Sequence, residues 1–241
     1  MALTPLGPAP LVYAHRGDRS RAADNTLEAF GLAVEAGADG VELDVRQTSD
    51  GVLVMSHDPA TASDVVVAET SFRSLREAHP EIPTFAETLS AIPGNIYLNV
   101  EIKNSPTETG FDPSGDLTRQ TIAMITEHDN PERILLSSFD LSTVAAAEGS
   151  GLLCGLLVVE QIEAETAIAA TYELGVEAIH PPMAMLAPDP SAIVGAMHDA
   201  GLSVVVWDAN TAHEISAAAE AGCDVIITDD PGLGREVLAQ R

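Results

Sequence analysis

Lysine is almost absent from this chain. Its 241 residues hold one Lys, Lys103, and one Trp, Trp207. Lys and Arg together number 11 against 37 Asp and Glu, a formal net charge of −26 with His neutral. This acidity argues against nucleic acid or an anionic membrane as the main partner, because both need clustered Lys and Arg. Long apolar runs are missing too. Stretches such as Leu152 to Val159 are far short of the ~20 residues that cross a bilayer, so stable membrane insertion is not expected. The opening MALTPLGPAP has neither a basic start nor an apolar stretch, which predicts no signal peptide and a cytoplasmic location. Cysteine is scarce: Cys154 and Cys223 lie 69 positions apart, neither a disulfide framework nor a zinc spacing, and both are expected to be buried structural thiols.

What is present is globular. Apolar residues make up 46% and charged residues 20%, enough for one large α/β domain or two small ones. Short β-rich runs alternate with helical patterns along the whole chain. Strands are predicted over 11–15, 40–45, 52–57, 96–103, 133–139, 153–159, 176–180, 203–208 and 224–228. Most are continuous apolar runs, as strands covered on both faces should be. Helices are predicted over 26–36, 84–92, 116–128, 141–148, 164–174, 190–200, 212–221 and 232–240, the first opening on an Asn25/Thr26 cap supported by Glu28.

Nine strands are one too many for a (β/α)8 barrel. The turn TSDG (48–51) decides which to set aside. It leaves too few residues between 40–45 and 52–57 for a parallel crossover, so these two should form an antiparallel hairpin. Eight strands remain, each followed by a helix. The expected fold is therefore a TIM barrel with an extra hairpin strand after its second strand, the chain 1–241 forming a single domain. A doubly wound sheet is less consistent, because no Gly-rich phosphate loop follows the first strand. The long irregular stretches, 58–83 and 104–115, should lie at the C-terminal face of the barrel, with 58–83 a short inserted loop region. The tail 1–10, with Pro5, Pro8 and Pro10, should be extended.

Polar residues collect at the strand ends. Glu42 and Asp44 are two apart on one strand and share a face. If that face is inward, two carboxylates are desolvated together, and Glu101 makes a third. A hard divalent cation, Mg²⁺ or Ca²⁺, is the simplest compensation for oxygen-only donors. Alternatively, the carboxylates face helices and pair with Arg46 or Lys103. His15 ends the first strand and His57 the hairpin strand; beside a metal, two imidazoles can act as general acid and base. Either could also be an ordinary half-buried histidine. Arg16 and Lys103 could hold a phosphate, or balance the carboxylates. Trp207 could wall an alcohol pocket or pack as a core aromatic. Of the remaining histidines, His79, His128, His198 and His213 read as surface residues. His180 could line the pocket or simply pack.

The run AHRGDRSRAADNTLEAFGLAVEAGADGVELDVRQTSDGVLVMSHDP resembles the glycerophosphodiester phosphodiesterase family, and the likeness continues in IPTFAETL, NVEIK, VVVWDAN and VIITDDP. The resemblance implies a TIM barrel that splits a glycerophosphodiester into sn-glycerol 3-phosphate and an alcohol such as choline or ethanolamine. It further implies one divalent cation, Mg²⁺ or Ca²⁺, on Glu42, Asp44 and Glu101. His15 and His57 would be the acid and base, Arg16 and Lys103 would hold phosphate, Asn25 would lie near the same site, and Trp207 would border the alcohol pocket. Two features depart from the family. Ala23-Asp24 stands where Pro-Glu is usual, with the charge kept. The text ATASDVVVAETSFRSLREAHPE after His57 diverges, which leaves headgroup choice open. Two other readings remain: a lysophospholipase D-like hydrolase, for which Val65–Val67 would form an apolar rim, and a protein that binds glycerophosphodiesters without turnover.

The charge carries its own prediction. At −26, self-repulsion weakens the compact state unless salt screens it, as in a protein adapted to high salt. Melting temperature is expected to rise clearly with added KCl, and a flat response would end the idea.

Overall fold

The structure is a computed structural model that describes residues 10–241. Nine strands are present among them: β1 (Leu11–His15), β2 (Gly40–Gln47), β3 (Leu53–Met55), β4 (Tyr97–Ile102), β5 (Ile134–Ser138), β6 (Leu153–Leu157), β7 (Ala178–His180), β8 (Ser203–Val206) and β9 (Val225–Thr228). All except β3 pair in parallel. Because β1 bonds to both β2 and β9, the eight parallel strands close into a barrel. Helices lie between successive barrel strands, giving the (β/α)8 architecture read from the sequence.

β3 joins outside the barrel, antiparallel to β2, with Val45 opposite Met55 and Gln47 opposite Leu53. Its turn is tied by Thr48, whose hydroxyl accepts from the Val52 amide at 3.0 Å and donates to Asp50 Oδ1 at 2.7 Å. Gly51, at φ +84°, supplies the left-handed step that closes the turn. The hairpin strand is shorter than 52–57. After the Ser56 amide donates to the Asp44 carbonyl at 3.1 Å the chain leaves the ladder, so His57 sits on a loop.

Apolar packing forms two main layers. One fills the space between barrel and helices, with Phe30, Leu43, Phe85, Leu136, Ile179 and Val206 fully or almost fully buried. The other fills the barrel interior toward the strand N-termini, with Leu11, Tyr13, Leu135, Ala178, Val205, Val225 and Ile227. Tyr13 fits there because Gly40 has no side chain; a Cβ at Gly40 would run into its ring. Above this apolar floor, the inward positions become polar. Both cysteines are buried, and burial pushes their thiols up to about 12, which leaves them inert at neutral pH.

The stretch 58–83 is not irregular throughout. Phe72–Ala78 forms a short helix whose N-cap, Ser71, accepts from the Ser74 amide. Its Leu75 packs with Val54 and Val67 in a small separate core. Val67 is 1% exposed and Val65 packs half-buried against the same core, so these two do not form an exposed apolar rim. A second short helix, Met183–Leu186, also lies outside the expected set. The expectation for the tail falls, over 1–9, outside the described residues.

His180 packs. Its side chain is fully buried against Gly155, and neither ring nitrogen has a hydrogen-bond partner among the described residues. Burial drives its pKa down to about 3. In the unfolded chain it titrates near 6.5, so the unfolded state gains a proton in acid that the fold refuses. Its stability contribution is complete above about pH 6.5 and is lost as pH falls toward 3. Between pH 7 and 5 the wild type is expected to lose about 2 kcal/mol more than His180→Leu in urea unfolding. Equal losses would show that His180 does not titrate this way.

Candidate active site

Strand register brings the polar residues together. His15 of β1 pairs with Glu42 of β2, and Asp44 of β2 pairs with Glu101 of β4. Alternation then turns Glu42, Asp44 and Glu101 to one side, the barrel interior. All three are buried, and one oxygen from each lies within 4.8 Å of the others. They stand at the C-terminal end of the barrel, where Glu42 and Glu101 border a cavity of about 320 Å³ and Asp44 lies beside them. His15, Arg16, Arg19, Glu42, His57, Asn99, Glu101, Lys103 and Trp207 are among its lining residues. A wider recess of about 530 Å³, among Pro10, Asp39 and Arg235 at the other end, includes none of them.

Three buried carboxyls face two buried or half-buried cations. Lys103 Nζ lies 2.6 Å from Glu101 Oε1 and 3.2 Å from Asp44 Oδ1. Arg16 Nε lies 3.3 Å from Asp44 Oδ2. The carboxylates thus face inward, with Asp44 and Glu101 paired to Lys103 and Arg16; Arg46 takes other partners. Burial would raise Asp44, but Lys103 and Arg16 outweigh it and hold it down at about 2. Glu42 goes the other way: burial, then repulsion from Asp44 and Glu101, push it well above the usual range. Burial lifts Glu101 to about 7 against the pull of Lys103. Fully ionised, the three carboxyls would outnumber the two cations, and Glu42 and Glu101 respond by holding their protons more tightly. All donors are oxygens, and among the described residues Asp44 Oδ1 and Glu101 Oε1 meet only the Lys103 ammonium. This donor set fits a hard divalent cation, which would replace the retained protons.

Backbone strain positions the next shell of contacts. Arg16 and Asn25 adopt left-handed conformations, φ 57° and 55°, at a cost on the order of 1 kcal/mol each. In return the Arg16 amide donates to Glu42 Oε2 at 2.9 Å, and its guanidinium donates to Asp24 at 3.2 Å. Asn25 grips Asp44 twice: its amide donates to Oδ2 at 2.8 Å, and its carbonyl oxygen accepts from the Asp44 amide at 3.2 Å. Asn25 thus meets Asp44 without lining the cavity. Its position follows from the turn that starts helix Leu27–Glu35, where Thr26 is the N-cap and accepts from the Ala29 amide.

Each histidine is held by a carboxylate at Nδ1. His15 Nδ1 lies 2.7 Å from Asp229 Oδ1, which also accepts from Arg19 at 2.8 Å. His57 Nδ1 lies 2.7 Å from Asp58 Oδ1. A carboxylate only accepts, so in the neutral ring the proton belongs on Nδ1 and the lone pair on Nε2. Asp229 would be raised by burial, but its bonds to His15 and Arg19 bring it below its ordinary value. His57 is lowered by burial, with Lys103 and Arg16 adding to the effect and Asp44 opposing it.

The opposite wall is apolar: Phe139, Leu157, Trp207 and Ile227. Trp207 meets Phe139 edge to face at 5.7 Å, and its Nε1 donates to the His180 carbonyl at 2.8 Å. His15, Arg16, Asn25, Glu42, Asp44, His57, Glu101, Lys103 and Trp207 therefore gather at one end of the barrel. The sequence reading gave no role to Arg19, Asn99, Phe139, Leu157 or Asp229. Alternation from Glu101 would have found Asn99, whereas Arg19 carries no local signal.

A family model described as the glycerophosphoryl diester phosphodiesterase family matches residues 15–233. A glycerophosphodiester phosphodiesterase of Caldanaerobacter subterraneus subsp. tengcongensis is 31% identical over 245 residues, covering 92% of this chain and 94% of that protein. The crystal structure of a glycerophosphodiester phosphodiesterase from Thermotoga maritima superposes with a TM-score of 0.82 at 25% identity, over 96% of this chain and 99% of the other. An Oleispira antarctica phosphodiesterase, solved in complex with the product sn-glycerol-3-phosphate, shares the fold with a TM-score of 0.82 at 22% identity, over 95% of this chain and 97% of the other. The chain belongs to the glycerophosphoryl diester phosphodiesterase family.

Proposed function

We propose that this protein hydrolyses small glycerophosphodiesters to sn-glycerol 3-phosphate and an alcohol such as choline or ethanolamine, with His15 and His57 as acid and base. Glu42, Asp44 and Glu101 would hold one divalent cation, Mg²⁺ or Ca²⁺. The observation that carries the reading is convergence: two members of a buried carboxylate trio, Glu42 and Glu101, and two carboxylate-held imidazoles border one cavity of about 320 Å³, with Asp44 beside them. When bound, the cation would offset charge developing on the phosphoryl oxygens.

Arg16 and Lys103 would bind the same phosphoryl oxygens. One imidazole, at Nε2, accepts the proton of the glycerol hydroxyl next to the phosphate. That oxygen bonds to phosphorus while the bond to the leaving alcohol breaks. The second imidazole supplies the proton the alcohol needs. Water then opens the cyclic phosphate with the two histidines in exchanged roles, restoring both protonation states. Trp207 and Phe139 give the organic part of the substrate an apolar wall.

The test is release of glycerol 3-phosphate from glycerophosphocholine. EDTA is expected to lower the rate at least about 100-fold, with recovery on adding Mg²⁺ or Ca²⁺. EDTA-insensitive turnover would remove the cation from the reading. Binding without release would favour the non-catalytic alternative. Faster turnover of a long-chain lysophospholipid would favour the lipid hydrolase, although Val65 and Val67 pack into a small core of their own. Among the described residues, no helix is long and apolar enough to cross a membrane.

A further inference from the structure

His57 stands on a loop just past the end of β3, where the ladder no longer fixes the backbone. Among the described residues its ring is tied only to Asp58, whose side chain is 76% exposed. Its backbone is held much more firmly. The buried Arg46 directs two N–H groups at the His57 carbonyl, Nε at 2.9 Å and Nη2 at 2.6 Å. Nη2 also donates to Glu108 Oε2 at 2.6 Å. Glu108 belongs to the 104–115 loop, where its own amide donates to the Ser105 carbonyl at 3.0 Å.

Arg46 does not line the cavity, so it is not placed to bind phosphate. Its guanidinium is one of 11 cationic side chains in the molecule and is spent on a backbone carbonyl. A planar fork can aim two donors at one oxygen while a third group is held by a carboxylate; an ammonium cannot reproduce that geometry. The arrangement links β2, the His57 loop and the 104–115 loop through one side chain.

We infer that Arg46 is a positioning residue for His57, itself oriented by Glu108. The inference rests on the proposed acid–base role of His57. Small displacements of a reacting group cost large factors in rate, so the effect should fall on kcat.

Arg46→Met is expected to lower kcat about 10–100-fold with KM changed less than about threefold. Arg46→Lys should recover part of the loss. Glu108→Gln, which keeps the arginine and removes its charged partner, should cost less than Arg46→Met and give a folded protein even if that variant does not. The decisive measurement is the double variant. If Arg46 acts through His57, Arg46→Met added to His57→Asn should slow the enzyme little further. Independent, multiplying losses would overturn the inference while leaving the role of His57 intact. So would an unchanged kcat in both Arg46→Met and Glu108→Gln. Wild-type kcat in His57→Asn alone would overturn the acid–base reading and this inference together.

Discussion

His15→Asn is expected to lower kcat by about three orders of magnitude, within the range that loss of a general acid or base produces. Asn preserves much of the local contact. Its amide can still donate to Asp229, which otherwise binds His15 Nδ1 at 2.7 Å and Arg19 at 2.8 Å. What Asn cannot do is exchange a proton at the Nε2 position. The loss should therefore appear in turnover and not in folding, with melting temperature close to wild type. His57→Asn should have a comparable effect, since the proposed reaction needs both proton transfers in each half. For the same reason the two losses should not multiply: once one transfer is missing, the other has little left to assist. Rates of glycerol 3-phosphate release from the three variants check this. A single variant within about tenfold of wild type would remove that histidine from the chemistry.

How much of this arrangement the sequence reveals depends on how local each signal is. The barrel is legible because parallel strands covered on both faces read as continuous apolar runs, and a four-residue turn cannot carry a parallel crossover. The shared face of Glu42 and Asp44 follows from alternation alone. That Glu101 joins them depends on β2–β4 register, which pairs Asp44 with Glu101 and is not visible in either strand separately. Helix Phe72–Ala78 is hidden because seven residues span too few turns to establish a period and it lacks the Thr84/Glu87 capping box that marks the equally short Phe85–Ala91. The choice of partners is still less visible. Arg46 and Lys103 both lie near the carboxylates in sequence, yet only Lys103 reaches them; the hairpin presents the His57 carbonyl to Arg46 instead. The His15–Asp229 contact spans 214 positions and exists only because the last barrel strand closes against the first. Active sites assembled across such a closure leave the strand ends as their only trace in the sequence.

Glu42→Gln should separate the electrostatic cost of the carboxylate trio from its proposed use. Glu42 is buried beside Asp44 and Glu101, and its pKa in the fold lies well above the ordinary carboxyl value. Near neutral pH the unfolded chain therefore releases a proton that the metal-free fold tends to keep. The metal-free protein must then lose stability as pH rises from the unfolded carboxyl pKa, near 4.3, through the raised value. Gln resembles the protonated side chain and still accepts the Arg16 amide hydrogen bond. It should remove this part of the pH slope and leave the metal-free protein at pH 8 at least as stable as wild type. With cation present, the sign should reverse. Saturation at about 100 times Kd would stabilise the wild type by about 2.7 kcal/mol, or roughly 5–10 °C in melting temperature for a chain of this length. Losing one charged ligand should weaken cation affinity on the order of tenfold or more and lower turnover at least about 100-fold. Calorimetric melts with EDTA and with Mg²⁺ or Ca²⁺, run on both proteins from pH 5 to 8, distinguish the outcomes. If Glu42→Gln is less stable than wild type without cation, burial and the neighbouring carboxylates do not make the Glu42 charge costly in the metal-free fold. If it keeps the full cation-induced shift in melting temperature, Glu42 does not hold the ion.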